Sequence, residues 1–121
     1  MSFAAMCPCG SGRAYPACCG ALHAGARMAE TPEELMRSRY AAYARGNAEY
    51  VLRTWHPHTR PATLSLGDMR WTGLEVLAAD GDTVQFVARY EDAQGPGTLA
   101  ERSRFERRAG RWFYVDGDVS A

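Results

Sequence analysis

The chain has 121 residues and a mass of 13.3 kDa, which leaves room for one domain and a small appendage but not for two full domains. Hydrophobic and charged fractions of 46% and 23% are those of a folded globular chain and exclude wholesale disorder. Fourteen basic residues, all of them arginine, balance fourteen acidic ones, so no global field draws the chain to nucleic acid or to an anionic membrane. Either partner would need a local patch.

No apolar run reaches the roughly eighteen residues of a transmembrane helix, so no membrane partner is expected. Met1 to Gly12 also lacks the basic and apolar regions of a signal peptide, and the expected address is the cytoplasm. All four cysteines fall in the first nineteen residues, as Cys7-Pro8-Cys9-Gly10-Ser11-Gly12 and then Cys18-Cys19-Gly20. In a reducing compartment such a cluster holds metal more often than disulfides. Cys7 and Cys9 can present two thiolates on one side of a tight turn, with glycines free to take positive φ and backbone amides free to bond the sulfurs. Cys18 and Cys19 close a tetrahedron from the start of a short helix. Four soft sulfur ligands favour Zn²⁺ in a closed structural site with no open position for substrate. Two disulfides or a redox pair are the competing readings. Arg13 and Arg27 are placed to offset the surplus negative charge, and His23 reads as a solvated residue in a linker spanning 21–29.

A helix starts at Thr31, whose side chain is a good N-cap, with Pro32 at the first helical position and Glu34 at the third. It runs through Tyr43 and stops near Gly46. A second helix, capped by Asn47, carries Ala48, Val51, Leu52 and Trp55 at helical spacing until Pro57 ends it. Residues 57–68 read as a connection with one helical turn near Ala62. From Met69 onward the period becomes two, giving strands at 70–78, 83–91, 98–107 and 111–116, separated by turns at Asp80-Gly81, at 94–97 and at Ala109-Gly110. Two helices followed by a four-stranded antiparallel meander make an α+β layer, with the helices on one face of a curved sheet.

Arg39 falls in the middle of the apolar stripe made by Leu35, Met36, Tyr40 and Tyr43, whereas Arg37 and Arg45 point the opposite way. An arginine in that position must snorkel out or find a buried acceptor. On the third strand Glu101 and Ser103 lie between Leu99 and Phe105 on one face. On the fourth, Trp112, Tyr114 and Asp116 share a face. One reading is a buried Arg39–Glu101 ion pair that fixes the helix on the sheet. The other is a cavity between helix and sheet, walled by Tyr43, Trp55, Trp71 and Tyr114. The two are compatible, and the cavity candidates are Arg39, Tyr43, Trp55, Trp71, Glu101, Ser103, Trp112, Tyr114 and Asp116.

The Cys-Pro-Cys-Gly-Ser-Gly run, the Tyr before Cys18-Cys19 and the spacing resemble the SEC-C motif, a small zinc-binding tail of a protein-translocation ATPase. The resemblance implies a zinc-stabilised knob that contacts a protein or the ribosome, although the basic flanks of that tail are not reproduced here. The runs 35–43 and 50–57, with Phe86-Val87-Ala88-Arg89-Tyr90, Glu101-Arg102-Ser103-Arg104-Phe105 and 110–117, resemble the YchJ-like family. That resemblance covers nearly the whole chain. It implies a SEC-C motif at 1–24 and, at 30–121, a nuclear-transport-factor-2-like domain, a cone of helices against a bent antiparallel sheet.

Three functions fit these residues. The first is a non-enzymatic adaptor, with the zinc knob on a macromolecular partner and the cone holding a small apolar ligand or pairing two copies through the sheet. No phosphate loop, H-E-x-x-H or G-x-S-x-G occurs to favour an enzyme. The second is a small acid–base lyase, isomerase or hydrolase, with His56 as base and Asp116 or Glu101 orienting it or acting as acid. His56 is otherwise a histidine favoured by a helix C-terminus, and His56-Pro57-His58 as a second metal site lacks identifiable further ligands. The third is RNA or ribosome association through Arg102, Arg104, Arg107, Arg108 and Arg111.

Overall fold

In the computed structural model, which describes residues 5–120, one long helix is buried on two sides. Helix α1 (Cys19–His23) follows a single 3₁₀ turn, α2 spans Pro32–Arg45 and α3 spans Ala48–Arg53. The four strands β1 (Arg70–Asp80), β2 (Thr83–Asp92), β3 (Gly95–Arg108) and β4 (Arg111–Ser120) form an antiparallel sheet in sequence order.

Helix α2 begins as its residues dictate. Thr31 accepts a hydrogen bond from the Glu34 amide, and Gly46 closes the helix in the left-handed conformation. One face, with Leu35 and Met36, packs on Val84 and Phe105 of the sheet. The opposite side carries Ala41, which packs among the four cysteines, and Ala42, which packs on Leu22, Tyr50 and Val51. These small residues let two layers approach the helix at once.

Helix α3 is shorter than its apolar spacing predicts. It ends at Arg53, because Thr54 to His56 leave the helix to pair with β4: the Tyr114 amide donates to the Thr54 carbonyl (2.9 Å), and the His56 amide donates to the Tyr114 carbonyl (2.7 Å). The expected helical turn near Ala62 is not formed; a turn at 57–59 closes on the His56 carbonyl instead.

The sheet keeps its inward set in phase by means of bulges. Trp71, Leu74 and Val76 of β1 face Tyr90, Ala88 and Phe86 of β2, and the register slips between Trp71 and Gly73 and between Val76 and Ala78. In β4 the register slips at Val115, so that Tyr114 faces Phe105 while Asp116 faces Arg104. Each slip inserts one residue, bends the strand and exchanges its faces beyond that point.

Candidate functional site

The first site is the cysteine cluster. Cys7 and Cys9 lie on a small hairpin held by the Met6–Ala14 bridge and by the Cys7 amide donating to the Arg13 carbonyl (2.9 Å). Gly10 (φ 82°) and Gly12 (φ 84°) take the left-handed turns this loop needs. Cys18 and Cys19 sit at the start of α1. All four thiols are buried, with sulfurs within 4.8 Å of one another, and none is in a disulfide. A tetrahedral ion with sulfur ligands at about 2.3 Å has sulfur–sulfur edges near 3.8 Å, so the cluster fits a metal ion. The Cys9–Cys18 separation of 3.6 Å already matches such an edge.

Its electrostatics point the same way. Hydrogen bonding from the Cys19 thiol, and secondarily from Ser11, pulls the Cys9 thiol below its ordinary range. The same bond to Cys9 foremost, followed by burial, pushes the Cys19 thiol up, and burial pushes Cys7 up. One thiolate therefore suppresses ionisation of its neighbours; all four ionise together only around a cation. The Ser11 hydroxyl (3.1 Å) and the Arg13 guanidinium (3.7 Å) both reach Cys18. Arg27 pairs first with Glu34, at 2.7 Å, and its coulombic interaction with Cys18 is a weaker one.

Two residues assigned to solvent from the sequence tie this motif to the body. His23 is buried: the Tyr15 hydroxyl donates to Nδ1 (2.5 Å), and Nε2 donates to the Ser38 carbonyl (2.8 Å). Arg37 donates to the Cys9 carbonyl (2.9 Å). On the same side of α2, the Arg45 guanidinium lies 3.8 Å from the Tyr15 ring centre. The signal for this docking was present in the small residues Ser38, Ala41 and Ala42, which suit a helix covered on both sides.

The second site is a cavity of about 250 Å³ between α2 and the sheet. The structure brings Arg39, Tyr43, Trp55, Trp71, Glu101, Ser103 and Tyr114 around it, together with Met36, Tyr40, Met69, Phe86, Ala88, Leu99 and Phe105. Two candidates are elsewhere. Asp116 is turned to the outer face by the Val115 bulge and accepts from Arg104 at 2.6 Å. Trp112 lines a separate groove beside α1, and its indole donates to the Glu30 carbonyl at 3.2 Å.

Arg39 and Glu101 do not form the expected ion pair. Nη1 of Arg39 donates to the Val51 carbonyl and to the Thr54 hydroxyl, both at 2.7 Å, while its guanidinium carbon lies 4.5 Å from the Tyr114 ring centre and 5.1 Å from that of Trp55. Burial pulls this guanidinium down to about 10. Glu101 lies over Gly117, where its Oε2 accepts from the Ser103 hydroxyl and from the Tyr114 hydroxyl (3.1 Å for the latter). Burial foremost, and then Glu101, push the Tyr114 phenol well above its ordinary range, so it remains a donor. The indole nitrogens of Trp55 and Trp71 are buried with no hydrogen-bond partner among the described residues.

His56 is not part of this cavity. Strand alternation across the Trp55 bridge turns Trp55 towards the cavity and His56 to the opposite face, where it is buried and its Nε2 meets Glu106 at 2.6 Å rather than Asp116 or Glu101. Among the described residues the cysteines form the one cluster with metal-ligating geometry, so His56 and His58 assemble no second one. The arginine patch is partly spent: Arg104 is locked to Asp116 and Asp118. Arg102, Arg107, Arg108 and Arg111 are exposed, the last beside the groove that holds Trp112. Among the described residues no helix is long and apolar enough to cross a membrane.

Residues 31–117 match the family model of the YchJ middle NTF2-like domain, and residues 5–21 match that of the SEC-C motif. The chain belongs to the YchJ-like family. A relative from Deinococcus radiodurans, named a UPF0225 protein, is 56% identical over 91% of this chain and 86% of its own length. Another UPF0225 protein, from Streptomyces coelicolor, is 54% identical over 93% and 94% of the two chains. Among solved structures, a SEC-C motif containing protein from Rhodopseudomonas palustris superposes with a TM-score of 0.80 at 37% identity, covering 95% of this chain and 98% of the other. The YchJ-like assignment agrees with the two-part architecture, a cysteine-rich motif packed on an NTF2-like body.

Proposed function

We propose that this protein is a non-enzymatic binding protein, in which a zinc ion on Cys7, Cys9, Cys18 and Cys19 fixes the motif to α2 and the cone holds a small, mostly apolar ligand. The observation that carries the reading is the cavity, whose walls are largely aromatic and aliphatic while its few polar groups converge at Arg39 and Glu101. The one histidine with a carboxylate partner, His56, faces away from it. Four thiol ligands leave no coordination position for a substrate, which supports a structural ion rather than a catalytic one. Such an ion, when bound, supplies a cross-link between the hairpin and α1. A reducing, cytoplasmic setting would keep the thiols available for it.

Two measurements test this reading together. Untagged protein should carry one zinc per chain, and a disulfide-paired, metal-free product would refute the structural ion. Titration of the zinc-loaded protein with toluene, followed by amide NMR, should shift resonances of residues such as Phe86, Leu99 and Phe105. Toluene shifts scattered over the surface rather than gathered at these residues would remove the cavity as a ligand site.

A further inference from the structure

The polar end of the cavity restricts what the ligand can be. Arg39 and Glu101 both line it, yet each spends only part of its hydrogen-bonding capacity on the protein. Among the described residues, the guanidinium bonds through Nη1 alone, leaving the hydrogens of Nε and Nη2 without acceptors. The carboxylate bonds through Oε2 alone, leaving Oε1 without a donor. Buried polar groups ordinarily find partners, so unspent donors on Arg39 and an unspent acceptor on Glu101, lining one cavity, describe the complement of a ligand edge.

Charge narrows it further. One cation and one anion sum to zero, and a singly charged ligand would leave a net charge inside the cone. A zwitterion would require four charges to be desolvated together. A pure hydrocarbon would strip water from Arg39 and Glu101 without replacing its hydrogen bonds. A neutral group with adjacent acceptor and donor meets both demands. At about 250 Å³ the cavity lies below the roughly 300–1,000 Å³ typical of drug-sized ligand sites, so the molecule is of fragment size. The aromatic walls, with Trp71 tilted against Tyr40, Tyr43 and Tyr90, suit a flat ring.

We propose that the cavity binds an uncharged planar amide, a small lactam or aromatic carboxamide, with its carbonyl accepting from Arg39 and its N–H donating to Glu101. This rests on the cavity being a ligand site, and the probes are chosen to separate the two. The zinc-loaded full chain is titrated by NMR with benzamide, toluene, benzoate, benzamidinium and phenylalanine. Benzamide should bind about tenfold more tightly than each of the others, the difference of one or two buried hydrogen bonds. The isosteric variant Glu101→Gln, with folding checked by its amide spectrum, leaves Arg39 unbalanced and should move the preference from benzamide towards benzoate by about tenfold. Toluene binding as tightly as benzamide, or any charged or zwitterionic probe binding more tightly, overturns the amide assignment and leaves the cavity as a ligand site. An unchanged ratio of benzamide to benzoate affinity in Glu101→Gln overturns it as well. Silence from all five probes removes both the assignment and the ligand site beneath it.

Discussion

Replacing Gly117 with alanine tests how the cavity's carboxylate is held. A Cβ on Gly117 would lie 2.9 Å from Cγ of Glu101 and closer still to the carboxylate, well inside the contact distance of about 3.5–4.0 Å. Glu101 must therefore swing away and give up the hydroxyls of Ser103 and Tyr114. Hydrogen bonds to a charged group are worth about 1.5–3 kcal/mol each. Water regained by the half-buried carboxylate offsets part of that, leaving a cost of about 2–3 kcal/mol. In a Glu101→Ala background the obstruction is gone, and alanine is better than glycine in a strand by about 0.5–1 kcal/mol, so the sign of the effect reverses. The coupling between the two substitutions is then about 3 kcal/mol, far above the roughly 0.5 kcal/mol scatter of independent sites. Urea unfolding of the zinc-loaded wild type, both single variants and the double variant closes the cycle, provided the m-value is constant. Equal costs for Gly117→Ala in the two backgrounds would refute this account of Glu101.

Two other perturbations reach different parts of the molecule. His23 is held neutral between Tyr15 and Ser38, and burial pulls its imidazole below the ordinary value of about 6.5. The unfolded chain takes up this proton below about pH 6.5 while the folded chain resists it, so the stability His23 contributes is whole above that pH and is lost as pH falls. His23→Gln should flatten the decline in melting temperature between about pH 6.5 and 5 relative to wild type. Parallel slopes would refute the neutral, buried His23 as a source of the decline. Ala109 stands at φ 52° in the two-residue turn between β3 and β4, a conformation asparagine accepts more readily. Ala109→Asn should raise stability by about 0.5–1 kcal/mol in thermal unfolding, and an unchanged or lower value would show that the turn carries no strain.

Much of this architecture was legible because local chemistry and tertiary structure agree. Thr31, Pro32 and Gly46 specify the ends of α2 wherever that helix packs. The four cysteines announce a metal site by spacing alone, and their sulfurs do come together. Alternation along β3 placed Glu101 and Ser103 on one face with Leu99 and Phe105, and all four line the cavity. Alternation also failed at a definite point. Nothing in Tyr114-Val115-Asp116 signals that Val115 is an extra residue, so Asp116 was assigned to the wrong side. Trp55 sits at a good helical position after Val51 and Leu52, but pairing with Tyr114 claims that backbone first and carries His56 to the opposite face. His23 and Arg37 look like solvent residues until the motif is seen to cover the far side of α2.

Ser38 and Arg39 are consecutive residues that serve opposite neighbours: the Ser38 carbonyl receives the histidine of the N-terminal motif, and the Arg39 guanidinium forms the polar end of the cavity. The protein consequently has no seam at which the motif can be cut away to leave a finished cone. Truncation before α2 would uncover Ala41 and Ala42, neither of which exposes any surface in the intact chain. For the same reason the thiol cluster and the cavity lie on opposite sides of α2, and a disturbance of the first twenty residues has only that helix to cross before it reaches the second site.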